Sequence, residues 1–128
     1  MINQVINKTS QFLEVDLNVE CANFLDYKNC IPRKMRGVYI IASKDKIYYV
    51  GKGNIRDRQK MHVEKLLGEF KYAADTRGFK KLRETAEYDI NDFDIHWIPV
   101  SNESLIGALE GILIYKLQPL ANDECIID

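Results

Sequence analysis

A single glutamate stands in the most apolar stretch of the chain. Glu110 lies within residues 105–117, where most other side chains are apolar. A helix that is apolar nearly all round is expected to be largely buried. A carboxylate there is costly unless it is paired, hydrogen-bonded or bound to a metal ion. We therefore expect Glu110 either on a narrow polar strip with Lys116 or in a cleft, as a metal ligand.

An arginine and a histidine share one face of another predicted helix. Arg58 and His62 are one turn apart in the segment from about residue 55 to about residue 71. An arginine can stabilise the added negative charge of a phosphoryl transition state, and a neighbouring histidine can move protons. Arg56 is expected closer to the apolar stripe, so Arg58 is the better candidate. The apolar stripe is predicted to be formed by Val63, Leu66, Leu67 and Phe70.

Two tyrosines occupy a predicted β-hairpin. Residues 38–41 and 47–50 are β-branched and aromatic runs that flank a polar turn. If the turn has an odd number of residues centred near Lys44, Tyr39 and Tyr49 oppose each other directly and share a face. Strand tyrosines are usually packing groups, so neither carries a function by itself. The segment 51–54, Gly-Lys-Gly-Asn, is predicted to break the second strand.

The remaining elements place these residues in an α/β fold. Apolar residues alternate with polar ones over 13–20, which suggests a strand, although a helical stripe also fits. A second, shorter helix is predicted over 79–88 and a third strand over 93–98. Ser101 or Asn102 can cap a last helix that runs to about Leu117 and stops before Pro119. The predicted order is ββααβα.

The net charge of −1 hides a blocky distribution. Residues 33–83 carry fifteen Lys or Arg against five acids, which gives +10, whereas residues 84–128 carry one Lys against ten acids, which gives −9. A blocky solvated surface would explain this. A basic face that binds phosphates, offset by an acidic far side, explains it equally.

No single residue in this set is specific to one function, but their order along the chain is. They resemble the signature of the GIY-YIG nuclease family over residues 36–123, with Val in place of Ile in both triplets. The spacing of Glu, Pro and Asn is similar to the family's usual ending. The resemblance implies a GIY-YIG-like domain with a small three-stranded antiparallel sheet flanked by helices. The matching residues are Gly37-Val38-Tyr39, Tyr49-Val50-Gly51-Lys52-Gly53, Arg58, His62, Glu110, Pro119 and Asn122.

The resemblance also implies catalytic roles. Tyr39 and Tyr49 would lie at the reaction centre, where one of them positions or deprotonates the attacking water. Because a phenol has a pKa near 10, such a base needs help, and His62 or Lys52 would give it. Arg58 would hold the scissile phosphate. The sequence does not decide which tyrosine is the base.

A metal and a nucleic acid follow from the same resemblance. Glu110 would bind a single divalent ion, Mg²⁺ (or Mn²⁺), which prefers oxygen ligands. Asn122 would anchor the segment after the last helix or hydrogen-bond the phosphate region. Within the basic block of residues 33–83, Lys52, Arg56 and Lys60 are expected to contact the nucleic acid. The expected function is a metal-dependent endonuclease that hydrolyses phosphodiester bonds of DNA.

The organisation and location of the chain are also predicted. Residues 1–35 are expected to be an extension packed on, or leading into, a nuclease domain over 36–128. We expect a protein of the cytoplasm or nucleus that is not secreted or membrane-bound, in which Cys21, Cys30 and Cys125 are reduced thiols. Its partner would be double-stranded or branched DNA, recognised by its own loops and residues 1–35, or with specificity supplied by a second copy or another protein.

Two alternative functions stay open. The first is a non-catalytic nucleic-acid-binding module, for which Glu110 would have no physical purpose. The second is cleavage of RNA, although nothing in the sequence predicts recognition of a 2′-hydroxyl.

Overall fold

A computed structural model describes residues 1–44, 46–67 and 89–122. The predicted second helix over 79–88 and Cys125 lie outside these residues. Two short 3₁₀ turns, Phe24–Asp26 and Ile90–Asp92, accompany the regular elements. These elements are α1 (Ile2–Leu13), β1 (Glu20–Asn23), α2 (Tyr27–Cys30), β2 (Arg36–Ala42), β3 (Ile47–Asn54), α3 (Ile55–Leu66), β4 (Asp94–Pro99) and α4 (Glu103–Leu117).

The described strands form one antiparallel sheet in the order β1-β4-β2-β3. The prediction of three strands is therefore wrong by one, because Glu20–Asn23 pairs with β4. The predicted strand over 13–20 is also wrong for most of its length. Helix α1 runs to Leu13, Glu14 adopts a left-handed φ of 55°, and residues 16–19 lie outside helix and strand.

The β2–β3 hairpin is confirmed, but its register differs from the prediction. Tyr39 lies opposite Gly51, and Tyr49 lies opposite Ile41, so the two tyrosines are diagonal neighbours. The ladder is irregular between Ile41 and Ala42. The expected break at residues 51–54 is wrong, because the ladder pairs Gly37 with Gly53 and continues to Asn54.

The sheet has an aliphatic face and an aromatic face. Helices α1 and α4 cover the aliphatic face, and α2 and α3 cover the aromatic one. The aliphatic face buries Val38, Ile40, Val50, Ile98, Ile106, Leu109 and Leu113. The aromatic face buries Phe24, Tyr27, Tyr39, Tyr48, Phe93 and Trp97.

The side of helix α3 that packs on the sheet matches the predicted apolar stripe only in part. Leu66 is buried as expected, but Leu67 is 50% exposed and Phe70 lies outside the described residues. The side that packs inward also contains Gln59 and His62, together with Ile55. The predicted stripe is therefore confirmed at Leu66 and at Val63, which packs against the aromatic face, and is wrong at Leu67.

Helix α4 and its caps confirm the predicted last helix. Asn102 caps the start, since its Oδ1 accepts a hydrogen bond from the Leu105 amide at 3.0 Å. The helix ends at Leu117, and Gln118 adopts a left-handed φ of 48° before Pro119. Beyond it, the Leu120 and Ala121 amides donate to the carbonyls of Ile47 and Tyr48 in β3. The segment therefore covers part of the edge strand.

Only one side of α4 is deeply buried, although the sequence predicts burial nearly all round. Ile106, Leu109 and Leu113 are buried, whereas Gly111 and Tyr115 are exposed. Within the described parts of the chain, none of the helices combines the length and apolarity needed to span a membrane.

Candidate active site

The hydroxyl group of Tyr39 lies 2.6 Å from Nε2 of His62 on the aromatic face of the sheet. Both residues are buried, at 1% and 3% exposure. Strand β2 supplies the tyrosine, and the inward side of α3 supplies the histidine. Gly51, opposite Tyr39, makes this contact sterically possible, because a Cβ there would lie 2.3 Å from the Tyr39 hydroxyl oxygen.

Tyr49 completes a cluster of three rings. Its ring centroid lies 6.1 Å from that of Tyr39 and 4.9 Å from that of His62. Unlike Tyr39, Tyr49 is only partly buried. The cluster therefore has a buried hydrogen-bonded pair inside and one tyrosine that reaches solvent.

The buried pair is neutral near pH 7. Burial, with Tyr49 and Glu110 nearby, raises the pKa of Tyr39 well above its usual 10, against the opposing effect of Arg58. Burial, with the positive charges of Lys65 and Arg58, lowers the pKa of His62 from 6.5 to about 3. A phenol and a neutral imidazole therefore share this hydrogen bond.

Arg58 lies beside this cluster, next to Gly53. Gly53 has a φ of 122°, which strains any residue with a side chain, and a Cβ there would lie 3.3 Å from Nε of Arg58. Arg58 is exposed, yet its charge acts on both Tyr39 and His62. The guanidinium is thus available to an anion that approaches the rings.

Glu110 contributes the negative charge of the site. Its Oε1 lies 3.8 Å from Nζ of Lys52, and the two side chains are 23% and 52% exposed. Its charge also reaches Tyr39, whose pKa it raises. Glu110 therefore stands at the margin of the buried side of α4, with solvent access.

The donor set at Glu110 fits a hard divalent cation. A partly exposed carboxylate leaves room for water and substrate oxygens, and Mg²⁺ is commonly held by one or two carboxylates, waters and phosphate oxygens. The fit therefore rests on the chemistry of one oxygen ligand whose charge reaches Tyr39.

Asn122 fastens the chain after α4 to strand β3. Its Oδ1 accepts a hydrogen bond from the Val50 amide, and its Nδ2 donates to the Val50 carbonyl, both at 2.8 Å. Its side chain is buried. These two bonds fix β3 at the residue next to Tyr49.

Arg56 and Lys60 lie apart from the ring cluster, in a groove of about 460 Å³. Two residues of helix separate Arg56 from Arg58 by about 200°, so they project from nearly opposite sides of α3. The groove contains five cations against one acid, Asp57. Three of the cations were missed as site residues, although the run around Pro32 is visibly basic. The cations that line this groove are Lys28, Arg33, Lys34, Arg56 and Lys60.

Comparison with known proteins rests on structure, since no family model and no curated protein matches the chain. The chain is similar to the GIY-YIG N-terminal endonuclease domain of UvrC from Thermotoga maritima bound to magnesium, its catalytic divalent cation. The TM-score is 0.51 at 24% identity, over 79% of this chain and 98% of that one. A point mutant of the same domain gives 0.52 at 22% identity, with the same coverage. The predicted resemblance is thereby confirmed, and the chain has the fold of the GIY-YIG endonuclease domain.

Proposed function

We propose that the protein is a metal-dependent endonuclease that hydrolyses phosphodiester bonds of DNA. The observation that carries the proposal is the Tyr39–His62 hydrogen bond of 2.6 Å beside a third ring, Tyr49, and within electrostatic reach of Arg58. Packing alone does not require a buried phenol–imidazole pair within reach of the charges of an arginine and a carboxylate. Phosphodiester hydrolysis can use each of these groups, to activate water, to hold the phosphate and to bind a metal ion.

Arg58 would bind the scissile phosphate. Its guanidinium is exposed and lies next to the ring cluster, and its fork suits two phosphate oxygens. Burial and Lys65 lower the pKa of His62 more than Arg58 does, so a bound phosphate that offsets the arginine charge would reverse only the smallest part of the shift.

The two tyrosines would have different tasks. Tyr49 is partly exposed and can contact the attacking water, whereas Tyr39 is buried and hydrogen-bonded to His62. We therefore assign Tyr49 to the water and Tyr39 to the orientation of the imidazole. Asn122 holds β3 beside Tyr49 through the two bonds to Val50 and so keeps that ring in position.

Glu110 would hold the divalent cation, Mg²⁺ or Mn²⁺. When bound, such an ion stabilises negative charge on the phosphate and on the leaving oxygen. Lys52, 3.8 Å from Glu110, would supply a second positive group to the phosphate backbone.

The basic groove supports nucleic acid as the substrate. Its five cations would contact phosphates on the side of α3 away from the rings, without reading sequence. We propose duplex or branched DNA, bound inside the cell, with a second copy or another protein adding specificity. RNA cleavage and binding without catalysis are the competing outcomes. The GIY-YIG fold and the ring cluster favour catalysis.

The test is cleavage of supercoiled plasmid, branched DNA and a matched RNA, with Mg²⁺ or with chelator. We expect DNA nicking that requires the metal. Tyr49→Phe should slow it strongly, whereas Tyr115→Phe, on the exposed side of α4, should match the wild type. Binding of DNA without cleavage in Mg²⁺ or Mn²⁺ would favour the non-catalytic module, and cleavage of the RNA alone would replace DNA as the substrate.

A further inference from the structure

Three potential metal ligands meet on the aliphatic face of the sheet, away from the ring cluster. Cys21 in β1 pairs with His96 in β4, and Asp94 lies two residues before His96 on the same face. One ligand atom from each residue lies within 4.8 Å of the others, and Cys21 Sγ is 3.8 Å from His96 Nε2. The strand register brings these donors together, so no loop has to close to assemble them.

The spacing of these atoms matches a tetrahedral ion. With Zn–S near 2.3 Å and Zn–N near 2.0–2.1 Å, two ligands of a tetrahedral zinc lie about 3.6 Å apart. The observed 3.8 Å between Sγ and Nε2 needs only a small side-chain adjustment. Thiolate, imidazole and carboxylate together suit Zn²⁺ far better than Mg²⁺, which prefers oxygen alone.

There is space for a fourth ligand. Asp94 and His96 line a cavity of about 390 Å³ between the start of α1 and the β2–β3 turn. A water molecule can complete the coordination there, as in zinc sites with three protein ligands. Lys44 and Lys46 line the same cavity and place positive charge near the ion. The negative charges of the Cys21 thiolate and the Asp94 carboxylate would offset the charge of these lysines.

We propose that Cys21, Asp94 and His96 form a second metal site, selective for Zn²⁺, that ties strand β1 to strand β4. The site is independent of the proposed nuclease centre. Because the thiolate is the metal-binding form of cysteine, zinc binding to Cys21 would release the thiol proton to solvent, so binding should strengthen as the pH rises.

The bound ion would stabilise the edge of the sheet. Strand β1 is only four residues long and pairs at the edge of the sheet. An ion bound to both strands would hold residues 20–23 on the sheet and raise the resistance of the folded protein to heat.

The test is a titration of the reduced full-length chain with Co²⁺ as a spectroscopic probe, followed by displacement with Zn²⁺. We expect a thiolate-to-cobalt charge-transfer band that Zn²⁺ removes and Mg²⁺ does not. Cys21→Ser should abolish the band or weaken metal binding. Removing a hydrogen-bond partner of a metal ligand costs ~10–100-fold in affinity, and removing the Cys21 ligand itself should cost more. Cys30→Ser is the matched control, because Cys30 is also an exposed free thiol but bonds to Asp26.

A thermal melt gives a second measurement. Zn²⁺ should raise the Tm of the wild type and of Cys30→Ser but not that of Cys21→Ser or His96→Gln. No charge-transfer band in the wild type, or a band that Cys21→Ser leaves unchanged, would overturn the site and leave only a sulfur–imidazole contact. Neither result bears on DNA cleavage, which depends on Glu110.

Discussion

The ring of Tyr39 occupies the space that a side chain at Gly51 would need. The two residues face each other across β2 and β3, and a Cβ at Gly51 would lie 2.3 Å from the Tyr39 hydroxyl oxygen and 2.4 Å from Cζ. A backbone position without a side chain thus sets the position of the buried phenol and of the histidine bonded to it.

Gly51→Ala should therefore damage the site through sterics alone. The methyl group would push the Tyr39 ring away from His62, with a stability loss of about 1–3 kcal/mol from overpacking. A shift of about 1 Å at a reacting group can cost ~10²-fold in rate. Single-turnover cleavage and urea unfolding measure the two effects.

Gly111→Ala is the control for this prediction. A Cβ at Gly111 meets nothing within 4 Å, so the change should preserve activity and stabilise α4 by roughly 0.5–1 kcal/mol. Equal behaviour of the two variants would contradict the steric role of Gly51.

Arg58→Ala and Arg56→Ala should separate chemistry from binding. Arg58 lies beside the ring cluster, so its loss should slow the chemical step on the order of 10²-fold, as with other charge-stabilising donors. Arg56 lies in the basic groove, so its loss should weaken binding and leave the single-turnover rate nearly normal. A slower chemical step for Arg56→Ala than for Arg58→Ala would exchange the two roles.

Binding through the groove should depend on salt. Neutralising Lys60 should reduce the slope of log affinity against log salt concentration by about 0.9 for each phosphate that the protein no longer neutralises. Lys8→Ala, in α1 on the other face of the sheet, is the matched control. An affinity that ignores salt, or equal slopes for both variants, would remove the groove from the interface.

His62 should make the fold sensitive to acid. Its folded pKa of about 3 lies below the ordinary 6.5, so between these values the unfolded chain binds the extra proton. The stability contributed by neutral His62 is therefore complete above pH 6.5 and falls as the pH drops towards 3, by at most ~1.4 kcal/mol per pH unit. Urea unfolding at several pH values should show a smaller acid loss for His62→Gln. Identical pH slopes would mean that His62 is not buried in its neutral form.

Local patterns in the sequence predicted the hairpin and the last helix well. The β-branched runs around Tyr39 and Tyr49 and the cap at Asn102 are short-range signals, and each is found where expected. The register was not predictable to the residue, because the hairpin contains an irregularity between Ile41 and Ala42 and Tyr49 pairs two positions away from Tyr39. Strand β1 was missed because Glu20–Asn23 is a short, mostly exposed edge strand without apolar alternation.

The packing of α3 shows a second limit of sequence patterns. Apolarity favoured Leu67 as a buried residue, but Leu67 is 50% exposed, and the sheet face opposite the helix buries Gln59 and His62. Gln59 is held by a hydrogen bond from its Nε2 to the Phe24 carbonyl, and His62 by its contact with Tyr39. Their hydrogen-bond partners, Phe24 and Tyr39, belong to elements distant in sequence, so the local pattern of α3 could not predict that these polar residues are buried.

Single-turnover nicking of plasmid DNA in Mg²⁺ by Glu110→Gln tests whether Glu110 holds the metal ion that cleavage requires. Glu110 and Lys52 form a partly exposed pair worth at most ~1 kcal/mol, so the variant should remain folded with nearly unchanged stability. We expect metal-dependent cleavage by the wild type and none above background by Glu110→Gln. Cleavage by Glu110→Gln at the wild-type rate, or wild-type cleavage that persists in chelator, would contradict this expectation.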